Sequence, residues 1–186
     1  MKEHILPAIR LTIVSLLFFS GIYTILVLGI AKAAPDNGKA EIITKDGKRY
    51  YSNVGQKFTA DKYFWSRPSA VDYNAAASGG SNKGPSNPDY LKQVQARIDT
   101  FLLHNPGVER SSIPSDLVTA SGAGLDPHIS VQAARIQVKR IAKIRGIATA
   151  NLDQLIESNI EKPLLGFMGT ERINVLKLNL ALDNLN

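Results

Sequence analysis

Ser121, Asp126 and His128, three polar side chains on one short stretch, are the residues whose types could do covalent chemistry. A serine activated by a histidine that a carboxylate orients would make an acyl-transfer nucleophile. The spacing argues against it. No G-x-S-x-G occurs, and a Ser-x4-Asp-x-His order on one loop matches no strand-turn-helix that exposes a serine. The only other histidines are His4 and His104, and cysteine is absent, so no thiolate nucleophile, disulfide or thiolate metal site is available. There is no H-x-x-x-H or H-E-x-x-H spacing for zinc and no G-x-x-x-x-G-K-[ST] loop to cradle phosphates. These residues predict no catalytic centre, no metal and no directly bound cofactor.

The second stretch with binding chemistry is Ser78-Gly79-Gly80-Ser81-Asn82. An SGG triplet also occurs in the signature loop of ABC-type ATPases, where amides at a helix start face a phosphate, but three residues do not specify that site. Glycines here equally permit a tight turn against a partner or against the domain itself. They lie in Ser66–Asp89, 24 residues of which 14 are Ser, Gly, Pro or Asn, a composition that makes no regular element. A loop this long in a small domain is functional or disordered; we read it as ordered and wrapped. With Ser121–Ser130, it supplies the candidate partner-contact residues Arg67, Pro68, Ser78, Gly79, Gly80, Ser81, Asn82, Asn87, Ser121, Gly122, Gly124, Asp126 and His128.

The elements around these loops predict an α+β domain with about three helices and a small sheet. Asp46-Gly47 between Ile42-Ile43-Thr44 and Tyr50-Tyr51 signals a hairpin. Tyr63-Phe64-Trp65 holds the single tryptophan, read as a core or interface anchor. Asn87-Pro88 opens a helix whose buried stripe is Leu91, Val94, Ile98, Phe101 and Leu102. Ser130 caps a second helix that runs to Gly146, and Thr149 caps a short third one. Arg172–Asp183, with Leu176, Leu178, Leu180 and Leu182 in alternation, reads as a strand with one buried face. No internal repeat is present.

On the second helix Arg135, Lys139 and Lys143 stand at i, i+4 and i+8, and no acid occurs between Pro127 and Leu152. This is either a solvated face or a basic surface for anionic lipid or an acidic partner. The net charge of +6 does not make it a nucleic-acid binder, because an exported domain meets membranes and proteins first.

Export follows from Leu11–Ala31, 21 residues without charge or proline, closed by Arg10 and Lys32. At about 1.5 Å per residue, such a helix spans roughly 30 Å, the hydrocarbon thickness of a bilayer. Lys2 and Arg10 place residues 1–10 in the cytoplasm as a short stub, 11–31 across the membrane, and 32–186 outside as one folded unit. The alternative is a cleaved signal peptide at Ala31-Lys32-Ala33; its apolar core would be unusually long. Gly21 and Gly29, with Ser15 and Ser20, either give close helix contact or are incidental in a lipid-facing helix.

Four stretches carry a family resemblance: YFWSRPSA (63–70), ASGGSNKGPSNP (77–88), DLVTASGAGLDPHIS (116–130) and INVLKLNLALD (173–183). In this order, over essentially the whole length, the chain resembles the C subunits of bacterial high-affinity Kdp potassium-transporting ATPases. Tyr50-Tyr51 departs from it, standing where the family often has Gly-Ser. The resemblance implies a single-pass, non-catalytic subunit of the cell membrane. Its implied partners are a channel-like potassium-binding subunit, a P-type ATPase subunit and a very small membrane peptide. ATP and potassium then belong to the complex, and this subunit acts as a catalytic chaperone raising the ATP affinity of the ATPase subunit. Two other classes remain open from the residues: an exported ligand-capture module built on the two loops, and an anchored serine hydrolase.

Overall fold

The computed structural model describes residues 2–185 and divides into two units, Met1–Glu41 and Ile42–Asn186. The first is helical. Helix α1 (Lys2–Leu16) passes through a π-helical stretch (Leu17–Tyr23) into α2 (Thr24–Ala33). The Thr24 hydroxyl donates to the Phe19 carbonyl, five residues back, at 3.0 Å, which matches the wider π turn. Glu3–Ala33, 31 residues, is long and apolar enough to cross a membrane, and none of its apolar window is buried in the structure. The helix therefore continues N-terminally beyond the uncharged run, through Pro7 and Arg10.

The second unit begins with the expected hairpin, β1 (Ile42–Lys45) and β2 (Lys48–Tyr51). Asp46 and Gly47 both take positive φ, 52° and 74°, the twist a two-residue turn needs. A three-stranded antiparallel sheet is built from β3 (His128–Ile129), β4 (Ile160–Glu161) and β5 (Arg172–Asn174) in the order β3-β5-β4. Around it lie α3 (Pro88–His104), α4 (Val131–Arg135), α5 (Val138–Arg145), α6 (Thr149–Ser158) and α7 (Val175–Asp183). Phe64, Phe101, Ile129, Ile141, Leu152, Ile156, Ile173, Leu178 and Leu182 form the core. The architecture is α+β, as expected.

Four local readings are corrected. The C-terminal leucines lie on a helix, α7, after a strand of only three residues. Asn174 accepts a hydrogen bond from the Lys177 amide at 3.1 Å and starts the helix. Val175, Leu178, Asn179 and Leu182 then share the buried face at i, i+3, i+4 and i+7. The helix from Ser130 to Gly146 is broken at Ile136–Gln137. Gln137, fully buried there, donates to the Ala133 carbonyl and accepts from the Trp65 amide (2.8 Å) and Arg140 Nη2 (2.7 Å). The Trp65 amide, 72 residues away, is the distant partner that a continuous helix could not have announced. Thr149 is not a cap: the capping position is Ala148, without a side-chain bond. Leu91 stands 51% exposed, because it lies in the first turn of α3, ahead of the buried stripe.

The local start and stop signals otherwise operate as read. Asn87 Oδ1 accepts from the Tyr90 amide at 3.0 Å, Ser130 Oγ accepts from the Ala133 amide at 3.1 Å, and Gly146 ends α5 in the left-handed conformation.

Candidate functional site

The structure brings the two candidate loops together. The Ser121 amide donates to the Pro68 carbonyl at 3.3 Å, and the Gly79 amide donates to the Ala123 carbonyl at 3.0 Å. Ser78 Oγ donates to the same Ala123 carbonyl and Ser69 Oγ to the Gly124 carbonyl, at 3.0 and 2.6 Å. Their glycines permit this approach. A Cβ on Gly124 (φ +68°) would meet Val71 Cγ2 at 2.6 Å and the Gly79 carbonyl oxygen at 2.8 Å. A third segment, the loop just after β2, joins them: the Gly55 amide donates to the Leu125 carbonyl at 2.7 Å.

Side chains lock the seam. Arg67 Nη1 meets Asp126 Oδ2 at 2.9 Å while its Nε donates to the Thr119 carbonyl. Asp126 Oδ1 accepts the His128 amide at 3.0 Å and faces His128 Nδ1 at 3.3 Å. The hydrogen bond from the His128 side chain, helped by its amide and by Arg67, outweighs partial burial and holds the Asp126 carboxyl down at about 2. His128 Nε2 lies 3.1 Å from Glu161 Oε2 on β4, and that oxygen also accepts from Arg172 Nε of β5 at 3.2 Å. Tyr73 donates its hydroxyl to the Arg67 carbonyl at 2.6 Å, and burial pushes its phenol up to about 12.

Ser121 is 5% exposed, and among the described residues no hydrogen bond joins it to His128, whose ring nitrogens face Asp126 and Glu161. The arrangement fastens loops to the sheet. Ser81 and Asn82 lie exposed on the far part of the long loop, and Asn87 serves as the cap of α3. No group of three or more His, Asp or Glu that could hold a metal ion occurs among the described residues.

The basic residues separate. Arg135 is paired with Glu157 of α6, an acid outside the stretch that the sequence showed to be acid-free, so only part of the stripe is unneutralised. Lys139 and Lys143, in no ion pair among the described residues, flank a cleft of about 580 Å³ together with Leu103, His104 and Arg140. Arg140, by contrast, is buried. It stacks on Trp65 at 4.9 Å and donates to Asn105 Oδ1, Gln137 Oε1 and the Asp61 carbonyl. Sequence reasoning missed Gln137, Asn174 and Asn179 as buried polar anchors. The cap position of Asn174 before an i, i+3, i+4 pattern was the one available signal. On the first unit, a Cβ added at Gly21 or Gly29 would meet nothing within 4 Å.

A helix long and apolar enough to cross a membrane, followed in the chain by one small α+β domain, fits a membrane-anchored single-pass protein. Residues 5–184 match the family described as K+-transporting ATPase, c chain. Similar proteins include the potassium-transporting ATPase KdpC subunits of Flavobacterium johnsoniae, 54% identical over 98% of this chain and 99% of the relative, and of Bacteroides fragilis, 49% identical over 98% of each. That of Geobacter sulfurreducens is 49% identical over 100% of this chain and 99% of the relative. The chain belongs to this family of ATPase c chains.

Proposed function

We propose that the chain is the non-catalytic accessory subunit of an ATP-driven, high-affinity potassium importer in the cell membrane. It assembles with the channel-like subunit, the P-type ATPase subunit and a very small membrane peptide, and stabilises their working arrangement. The match over residues 5–184 carries this reading. The exposed apolar helix Glu3–Ala33 supports single-pass anchoring, and Lys2 with Arg10 supports a cytoplasmic N-terminus.

In that orientation the folded domain lies outside, about 30 Å or more of bilayer away from cytoplasmic ATP. Its effect on the ATP affinity of the ATPase subunit is then a coupling free energy, exerted through the arrangement of the other subunits. Gly21 and Gly29 leave the helix surface open for close packing against the channel-like subunit, and Lys139 with Lys143 offers a cationic patch to anionic lipid or an acidic partner face.

The test is recovery of the tagged full-length chain from mild detergent, with mass-spectrometric identification of what accompanies it. A P-type ATPase and a multi-spanning channel-like protein are expected; recovery of neither overturns the reading. Orientation is read separately. The chain has no cysteine, so single cysteines at Glu3 and Asn151 report sidedness to an impermeant thiol reagent on intact cells, with only the second expected to react.

A further inference from the structure

Between β4 and β5 the chain makes a tight loop whose side chains point away from the core. Leu164, Leu165, Phe167 and Met168 are 68%, 74%, 76% and 53% exposed. Single exposed apolar side chains need no explanation, but four within five residues form a patch of the kind that marks an interaction site. The loop also closes its own backbone. The Leu164 amide donates to the Met168 carbonyl (3.2 Å), the Met168 amide to the Leu164 carbonyl (2.9 Å) and the Gly166 amide to the Pro163 carbonyl (3.0 Å). Such a loop enters an apolar environment without stranding those polar groups.

Leu165 adds an independent observation. It holds φ +55°, ahead of Gly166 at +81°. A glycine occupies that region freely, whereas a leucine is strained there. Within the domain the strain returns nothing, since the Leu165 side chain is three-quarters exposed. What it would gain lies outside this chain.

We propose that Leu164–Met168 is a knob that seats in a concave, apolar socket on another subunit of the same potassium-transporting ATPase; the inference rests on the subunit reading above. The flanking charges favour protein over lipid. Glu161, Lys162, Glu171 and Arg172 sum to zero, and Glu161 holds Arg172 at 3.2 Å. A loop that inserts into a bilayer surface is expected to carry a cationic excess with Trp or Tyr at the headgroup level, and this one has neither. Phe, Met and Leu inside a neutral polar rim are instead the composition of a desolvated interface centre. The socket is therefore uncharged and deep enough for the Phe167 ring.

The test uses the full-length chain co-expressed with its partner subunits. With p-benzoylphenylalanine in place of Phe167, irradiation of the purified complex is expected to give a cross-link to an identified protein subunit, and the same probe at Asn151 none. A lipid adduct, or no adduct in an intact complex, overturns the knob. Leu165→Gly removes both the side chain and the strain, so the domain should keep its melting temperature while dissociation from the complex quickens at least tenfold. Unchanged dissociation overturns the proposal. If the wild-type chain recovers no partner, the subunit reading fails and this inference with it; if wild type and variant recover partners alike, only the knob fails.

Discussion

Gly80 and Gly122 meet across the seam of the two interlocked loops: a Cβ on Gly80 would stand 2.8 Å from the Gly122 carbonyl oxygen. Backbone cannot retreat as a side-chain tip can. Gly80→Ala should therefore pry the loops apart and destabilise the domain by about 1–3 kcal/mol, the usual cost of overpacking. Gly124→Ala should cost more, since its positive φ adds strain to two contacts under 3 Å. Gly84→Ala, where a Cβ meets nothing, is the control. Thermal unfolding measures all three, and equal melting temperatures would refute the account of the seam.

Asp126 makes the same seam sensitive to acid. Its carboxyl sits at about 2 in the folded domain, below the ordinary 3.8. A carboxylate with a depressed folded pKa stabilises above its unfolded value and loses that contribution as pH falls toward the folded one. The window is thus pH 4 to 2. The shift corresponds to roughly 2 kcal/mol before solvent screening and nearer 1 after it, because the side chain is about a third exposed. Asp126→Asn should lower stability at pH 7 and flatten its fall between pH 4 and 2. An unchanged slope in urea titrations across that window would show that Asp126 is not the group responsible.

Arg140 yields a prediction about residue type rather than charge. Its guanidinium lies over the Trp65 ring and serves Asn105, Gln137 and the Asp61 carbonyl at once, a planar fork that an ammonium cannot reproduce. Burial lowers its pKa to about 10, with the Asp61 charge opposing the shift, so it remains cationic at neutral pH. Arg140→Lys keeps the charge yet should cost about 1–3 kcal/mol through partners left unsatisfied. A lysine variant as stable as wild type by chemical denaturation would mean that charge alone matters.

Legibility in the sequence followed the range of the interactions. Asp46-Gly47, Asn87-Pro88, Ser130 and Gly146 act through bonds within a few residues, and the structure has a turn, two caps and a stop where they stand. The break at Gln137 depends on Trp65, 72 residues away, and the loop seam on amides such as Gly79 reaching Ala123. No local pattern encodes such partners. The neutralised end of the basic stripe is similar, since Glu157 comes from another helix. The C-terminal segment was ambiguous for another reason. Leucines at 176, 178, 180 and 182 satisfy a period of two, while Val175, Leu178 and Leu182 satisfy a helical i, i+3, i+7 spacing whose buried face is completed by an asparagine, Asn179.

That asparagine is the last test. Asn179, 1% exposed, donates through Nδ2 to the Phe64 carbonyl and accepts through Oδ1 from the Phe64 amide, both at 2.9 Å. One side chain thereby satisfies both backbone groups of a fully buried residue that belongs to no strand. Asn179→Leu, which a strand reading of this segment would tolerate as one more apolar residue, should strand a buried donor and acceptor and cost about 2–5 kcal/mol. Asn179→Asp keeps the acceptor but replaces the donor, so it leaves the Phe64 carbonyl unpaired and should also be poorly tolerated at neutral pH. Leu180→Asn, on a partly exposed position of the same helix, should cost less than about 1 kcal/mol. Equilibrium denaturation ranks the three, and a Leu180 variant weaker than the Asn179 variants would restore the strand.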